Sequence, residues 1–175
     1  ESGGLYLFGS SFVVENNWIA KNGNMSLSPG NPTGGVVIES LPGATIAPQD
    51  IRHNTIVDNL APEILASAGL VCNPGTGTGT PQCASNIVVG NERPGDDIQT
   101  SGSCSIRYSM VTGIASGDGN ISVLPTFVNP GAGDYHLAAG SAGIDIGEPT
   151  SPTTRDIDGD ARPGGGGFDM GADER

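Results

Sequence analysis

The chain has 175 residues with 19 acidic against 7 basic side chains, a formal net charge of −12, which argues against nucleic acid and anionic membrane as partners. No run of about 20 apolar residues is present to span a membrane, and the length suits one domain. Its 29 Gly and 13 Pro approach the range of disordered chains, but the apolar residues are β-branched and fall in register, which argues for a folded core.

In chain order, Glu1-Ser2-Gly3-Gly4 runs straight into Leu5-Tyr6-Leu7-Phe8 without a polar cap. Stacked repeats need polar ends, so the expectation is that this first unit is covered by upstream sequence or by another chain. Small-residue steps into short apolar strands recur at Gly4-Leu5-Tyr6-Leu7, Gly35-Val36-Val37-Ile38 and Gly69-Leu70-Val71-Cys72. Alternation points Leu5, Leu7, Val36, Ile38, Leu70 and Cys72 inward and leaves Tyr6, Val37 and Val71 outside.

Each of these strands is followed by a copy of a second pattern. Val14 to Asn22, Ile51 to Asn59, Cys83 to Asn91 and a weaker Ile106 to Gly113 align into three columns. The first is apolar (Val14, Ile51, Cys83, Ile106), the second polar (Asn17, Asn54, Asn86, Ser109), the third apolar again (Ile19, Ile56, Val88, Val111). The pattern predicts strand, tight bend and strand. Units this short cannot bury an apolar face alone, so copies must stack as a solenoid. An Asn at the bend tolerates unusual backbone angles and can bond the next copy. The leucine-rich frame of Leu-x-x-Leu-x-Leu is absent. The pattern N-x-I-x-x-N after a β-branched strand resembles the coils of right-handed parallel β-helix proteins of the pectate-lyase-like superfamily. That resemblance implies an all-β fold: coils over 1–115, then a C-terminal coil and cap over 116–175 in the same domain. The stretches Ser26 to Thr33 and Leu41 to Asp50 read as connecting loops of unequal length.

Cys72 and Cys83 bracket a Gly/Thr-rich insertion and are the favoured disulfide pair. Cys104 is then free or competes for Cys83, and three buried thiols are the alternative.

Beyond Gly113 the repeat stops. The ordered series Gly119-Asn120-Ile121, Pro125-Thr126-Phe127-Val128, Gly133-Asp134-Tyr135-His136-Leu137, Ile144-Asp145-Ile146-Gly147, Asp156-Ile157-Asp158-Gly159-Asp160-Ala161-Arg162-Pro163 and Phe168-Asp169-Met170-Gly171-Ala172-Asp173-Glu174 follows. It is similar to the C-terminal region of bacterial secreted β-helix proteins of the choice-of-anchor Q type. Leu124 and Ala142-Gly143 depart from that pattern. The resemblance implies an exported protein of the bacterial surface or medium.

Polysaccharide lyases of this superfamily, by the same resemblance, carry Ca²⁺-binding carboxylates and a basic residue on the outer face of one sheet. Here the outward positions Tyr6, Val37 and Val71 supply neither acid nor base, and no catalytic residue is assigned. On the second strand Glu15 and Arg52 become neighbours and read as a surface ion pair. His53 reads as a solvated or turn-bonded residue beside the bend, and His136 as packing of the cap. The metal candidates are Asp156, Asp158 and Asp160, with Asp169 and Asp173 downstream, where carboxylates alternating with Gly can turn oxygens toward Ca²⁺. The rival reading has these aspartates bond amides in a tight turn and pair with Arg155 or Arg162. No cofactor is required. Tyr6 and Trp18 are candidates for stacking on a sugar ring. The expected role is a structural or carbohydrate-binding module with polysaccharide as partner; the alternative is a fragment of a polysaccharide lyase or glycoside hydrolase.

Overall fold

The computed structural model describes residues 4–25, 34–40, 43, 47–62, 68–75, 79–95, 98–114 and 116–175. Glu1 to Gly3, the expected loop over 26–33 and parts of the loops at 41–42, 44–46 and 76–78 lie outside the described residues.

Four successive repeats each contribute three short strands. The first repeat holds β1 (Leu5–Phe8), β2 (Phe12–Glu15) and β3 (Trp18–Ala20); the second holds β4 (Val36–Glu39), β5 (Gln49–Arg52) and β6 (Thr55–Val57). The third holds β7 (Leu70–Asn73), β8 (Gln82–Ala84) and β9 (Ile87–Val89), and the fourth β10 (Thr100–Gly102), β11 (Ser105–Arg107) and β12 (Met110–Val111). Equivalent strands pair in parallel across repeats, giving three four-stranded sheets, β1-β4-β7-β10, β2-β5-β8-β11 and β3-β6-β9-β12. The registers match the sequence columns: Val14 faces Ile51, Ile51 faces Cys83 and Cys83 faces Ile106; Ile19, Ile56, Val88 and Val111 line up likewise. Among the described residues there is no α-helix, and no helix is long and apolar enough to cross a membrane.

The inward column residues form one cluster in which Ile38, Ile51 and Ile56 are fully buried. Their first-repeat counterparts Leu7, Val14 and Ile19 are only partly buried, because nothing described stacks on that side.

The Asn column is a hydrogen-bond ladder. Asn54 Oδ1 accepts from the amide and the side chain of Asn17, and Asn86 Oδ1 accepts from the same groups of Asn54, across separations of 37 and 32 residues. Ser109 Oγ then accepts from Asn86 N, and Asn120 Oδ1 from Ser109 N. The second Asn of each motif builds a parallel ladder of Asn22, Asn59 and Asn91 that ends on Gln99. The unusual backbone angles fall one residue before each Asn. Asn16, His53, Ser85 and Tyr108 are all left-handed at the first corner, with φ between 45° and 57°, and Lys21, Asp58, Gly90 and Gly113 at the second. The left-handed residue reverses the chain and the following Asn ties the corner to its neighbour.

The disulfide joins Cys72 to Cys104 and leaves Cys83 free and buried, which corrects the favoured Cys72–Cys83 pair. Cys104 follows β10, which pairs with β7, so its Cα lies 5.5 Å from that of Cys72 on the adjacent rung, within disulfide reach. The bridge closes a separation of 32 residues, a loop that contributes roughly 3 to 4 kcal/mol in the chain-entropy model. Burial pushes the Cys83 thiol up to about 12, so it acts as an apolar filler.

Residues 127–175 lie along the flank of the stack rather than continuing the repeats. An antiparallel pair, β13 (Phe127–Asn129) and β14 (Asp134–Leu137), starts this segment. Tyr135, Leu137 and Met170 pack on Val57, Ile87, Val89 and Met110, the outward residues of the third sheet, as a second core. The segment touches every repeat: Asn16 Nδ2 donates to Arg155 O, Ala172 N to Thr55 Oγ1, Gly171 N to Ser85 O, and Arg107 pairs with Glu148.

Candidate functional site

Two surfaces carry chemistry. The first is the outer face of the first sheet. Pleating turns Tyr6 and Phe8 of β1 outward, 47% and 50% exposed, with ring centroids 6.2 Å apart and planes inclined by 12°. Phe8 faces Glu39 on β4, and Glu39 faces Asn73 on β7. Tyr6 Oη donates to Glu39 Oε2 at 2.5 Å, and that bond raises the phenol pKa. The expectation that this face lacks an acid is thus corrected: Glu39 has the same parity as Val37, and one more step of the alternation reaches it. Val37 and Val71 also face outward but are only 9% and 5% exposed. Trp18 is not a free stacking platform. It packs edge-on against His136 at 4.8 Å and Tyr135 at 6.0 Å, under the flanking segment.

The second surface is where the flanking segment meets the stack. Arg52 pairs with Glu15 at 2.9 Å and with Asp50 at 3.2 Å, and Thr153 Oγ1 donates to the same Glu15 carboxylate. Arg107 bridges Glu148 and Gln82. Asp50, Arg52, Gln82, Arg107 and Glu148, with Ala84, Thr150 and Pro152, line a groove of about 260 Å³.

His53 is fully buried, so the solvated reading is corrected. Its Nδ1 lies 3.2 Å from Asp169 O and its Nε2 2.7 Å from Ser151 Oγ. A carbonyl only accepts, so Nδ1 carries the proton and Nε2 accepts from the hydroxyl. Burial, reinforced by the charges of Arg162 and Arg52, pushes its pKa down to about 3. The ring is a neutral wedge between corner and segment, and too weak a base for catalysis near neutrality.

Asp169, also fully buried, moves the other way. Burial raises it to about 6, against amide donors from Asp145 and Arg175 that hold it down. His53 contributes stability that is present above about 6.5 and is lost as pH falls toward 3. Asp169, raised from 3.8 to about 6, contributes stability that is present below about 3.8 and is lost as pH rises through 6. Between about pH 6 and 4 the two slopes, each on the order of 1.4 kcal/mol per pH unit, oppose each other. The D169N variant removes one of them. Its unfolding free energy is expected to fall relative to the parent's by up to about 1.4 kcal/mol per unit as pH drops through this window. Parallel pH curves for parent and variant would refute the assignment.

Of the three metal candidates, Asp156 is a turn former. Its Oδ1 accepts the amides of Asp158 and Asp160 at 3.0 and 2.7 Å, and its Oδ2 the amide of Glu174 at 3.1 Å. Asp160 is exposed. Asp158 is drawn elsewhere: its Oδ2 lies 2.6 Å from Nε2 of His136, whose Nδ1 lies 2.5 Å from Asp134 Oδ1. Asp173 completes this cluster and accepts the Leu137 amide at 2.7 Å. Burial alone would lower the His136 pKa, but the hydrogen bonds to Asp134 and Asp158 and the charge of Asp173 outweigh it and raise it. The aspartates do not pair with Arg155 or Arg162: Arg155 reaches Gly159 O, and Arg162 pairs with Glu174. Asp158 and Asp173 are among the acidic candidates, whereas His136 has no local motif to betray it, since the cluster joins residues far apart in sequence.

No protein-family model, curated protein or solved structure matches this chain.

Proposed function

We propose that this chain is part of a right-handed parallel β-helix of an exported bacterial protein, at the cell surface or in the medium, and that it serves there as a structural, carbohydrate-binding module. The three parallel sheets in register support the architecture, as does the similarity of the ordered C-terminal motifs to those of choice-of-anchor Q proteins. The observation that carries the binding role is the outward ledge of Tyr6 and Phe8, beside Glu39 and Asn73. Near-parallel exposed rings offer a flat apolar platform for the C–H face of a pyranose, and a neighbouring carboxylate and amide supply partners for its hydroxyls. At the first repeat a cleft of about 490 Å³, lined by Leu5, Val14, Asn17, Trp18 and Ile19 among others, exposes partly buried core residues and the upper rung of the Asn ladder.

The test is calorimetric titration with a panel of neutral and uronate-containing polysaccharides. The parent is expected to bind at least one of them, and a Y6A/F8A double variant to bind it at least tenfold more weakly, about 1.4 kcal/mol. Failure to bind any of the panel, or binding indifferent to both rings, overturns the reading.

A second reading, a fragment of a polysaccharide lyase or glycoside hydrolase, is favoured by one observation. The groove brings Asp50 and Glu148 together with Arg52 and Arg107. Both guanidinium groups there are engaged by carboxylates. Release of unsaturated or reducing ends from the same panel would decide for the enzyme.

A further inference from the structure

We propose that His136, Asp158 and Asp173 form a binding site for one divalent transition-metal ion, with Asp134 orienting the histidine. One ligand atom from each of the three lies within 4.8 Å of the others. Zinc with nitrogen and oxygen ligands at about 2.0 to 2.2 Å places tetrahedral ligand atoms about 3.4 Å apart, so small side-chain rotations close the site.

Three segments build it, and each is fixed independently of the ion. Alternation along β14 sends Tyr135 and Leu137 into the second core and leaves Asp134 and His136 on its other side. The turn carrying Asp158 is shaped by the Asp156 carboxylate, which accepts the amides on either side of Gly159. Asp173 is held by the Leu137 amide.

The hydrogen bonds around His136 mark the place of one positive charge, held by the protonated ring or by an ion. Both ring nitrogens of His136 face carboxylate oxygens, at 2.5 Å on the Nδ1 side and 2.6 Å on the Nε2 side. Ionised carboxylates only accept, and a neutral imidazole has one N–H to give. A protonated ring satisfies both oxygens with its two N–H groups; with a single proton on Nδ1, bonded to Asp134, Nε2 offers its lone pair to an ion beside Asp158. A metal ion between Nε2, Asp158 and Asp173 takes the place of the Nε2 proton, and the carboxylate behind the histidine is the usual second partner of a ligating imidazole. The nearby guanidinium groups of Arg155 and Arg175 donate to the carbonyls of Gly159 and Leu137.

The imidazole ligand and the small ligand count fit zinc or a similar ion better than calcium, which takes six to eight oxygens. The side chains of His136 and Asp158 are 32% and 53% exposed, so the ion can enter from solvent and keep water as a further ligand. Bound there, it ties β14 to the turn over 156–160 and to the last residues of the chain. The proposal is independent of sugar binding at the opposite sheet.

The experiment is calorimetric titration of untagged, chelator-stripped protein with zinc chloride, then with calcium chloride. One zinc per chain is expected, with a raised melting temperature. D158N, an exposed change whose turn is held by Asp156, is expected to abolish that binding, as is H136Q. D134N is expected to weaken it by about 10- to 100-fold, and D160N to leave it unchanged. Circular dichroism reports whether each variant is folded. The proposal is overturned by absence of stoichiometric zinc binding, by binding that survives in folded D158N, or by tighter binding of calcium than of zinc.

Discussion

Replacing Arg162 with methionine is expected to destabilise the protein by roughly 3 to 5 kcal/mol, the cost of leaving half of a buried ion pair behind. The side chains of Arg162 and Glu174 are 0% and 1% exposed and meet at 2.8 Å. The guanidinium also donates to the carbonyls of Asp169, Gly171 and Asp173, while Glu174 accepts the amides of Gly164 and Asp169. R162M therefore leaves the buried Glu174 carboxylate without its counter-charge and the carbonyls of Gly171 and Asp173 without this donor, while Asp169 O keeps His53 Nδ1. R162K keeps the charge but cannot reproduce a planar fork spread over four acceptors, so it recovers only part of the loss. The measurement is the urea midpoint at unchanged slope. If R162M costs less than about 1 kcal/mol, the pair does not hold the segment in place.

The second large effect is expected in the middle of the Asn ladder. Asn86 is 1% exposed; its Oδ1 accepts from Asn54 N and Nδ2, and its Nδ2 donates to Ile51 O at 2.8 Å. N86A orphans the buried Asn54 amide and removes a side-chain donor from the Ile51 carbonyl. At roughly 1 to 3 kcal/mol for the unsatisfied amide and about 1 for the lost bond, the loss comes to about 2 to 4 kcal/mol. Asn17, at the outer end of the ladder, is exposed, and its truncation leaves Asn54 Oδ1 still bonded to the Asn17 amide. N17A is accordingly expected to cost below about 1 kcal/mol. Chemical denaturation of the two variants side by side gives the gradient; equal losses would mean that the ladder's buried rungs carry no special weight.

The stacking was legible because it is periodic. Val14, Ile51, Cys83 and Ile106 fall into one column in the sequence and pair in that order in the sheet. The corners were legible only in half: the Asn residues repeat, whereas the left-handed positions before them, Asn16, His53, Ser85 and Tyr108, share a backbone angle and no chemistry. Cys104 was misjudged because the disulfide depends on which residues share a rung, and unequal loops hide that. The flanking segment carries no period, and its partners Tyr135, Leu137 and Met170 lie far apart in the chain. A usable signal did exist on the other side of that contact. Thr55-Ile56-Val57 and Ile87-Val88-Val89 are fully buried throughout, the unbroken run of a strand covered on both faces. Phe8 and Glu39 needed only one further step of alternation, whereas the grouping of His136, Asp158 and Asp173 depends wholly on tertiary placement.

Repeats that touch only their neighbours can fray from either end, one unit at a time, with little consequence for the remainder. Here one stretch of chain is fastened to Asn16 in the first repeat and to Arg107 in the fourth. Unzipping at either end must first peel that stretch away, and peeling it uncovers Val57, Ile87 and Met110 in the middle. The brace thereby converts a row of weakly linked units into a body that comes apart in a single cooperative step.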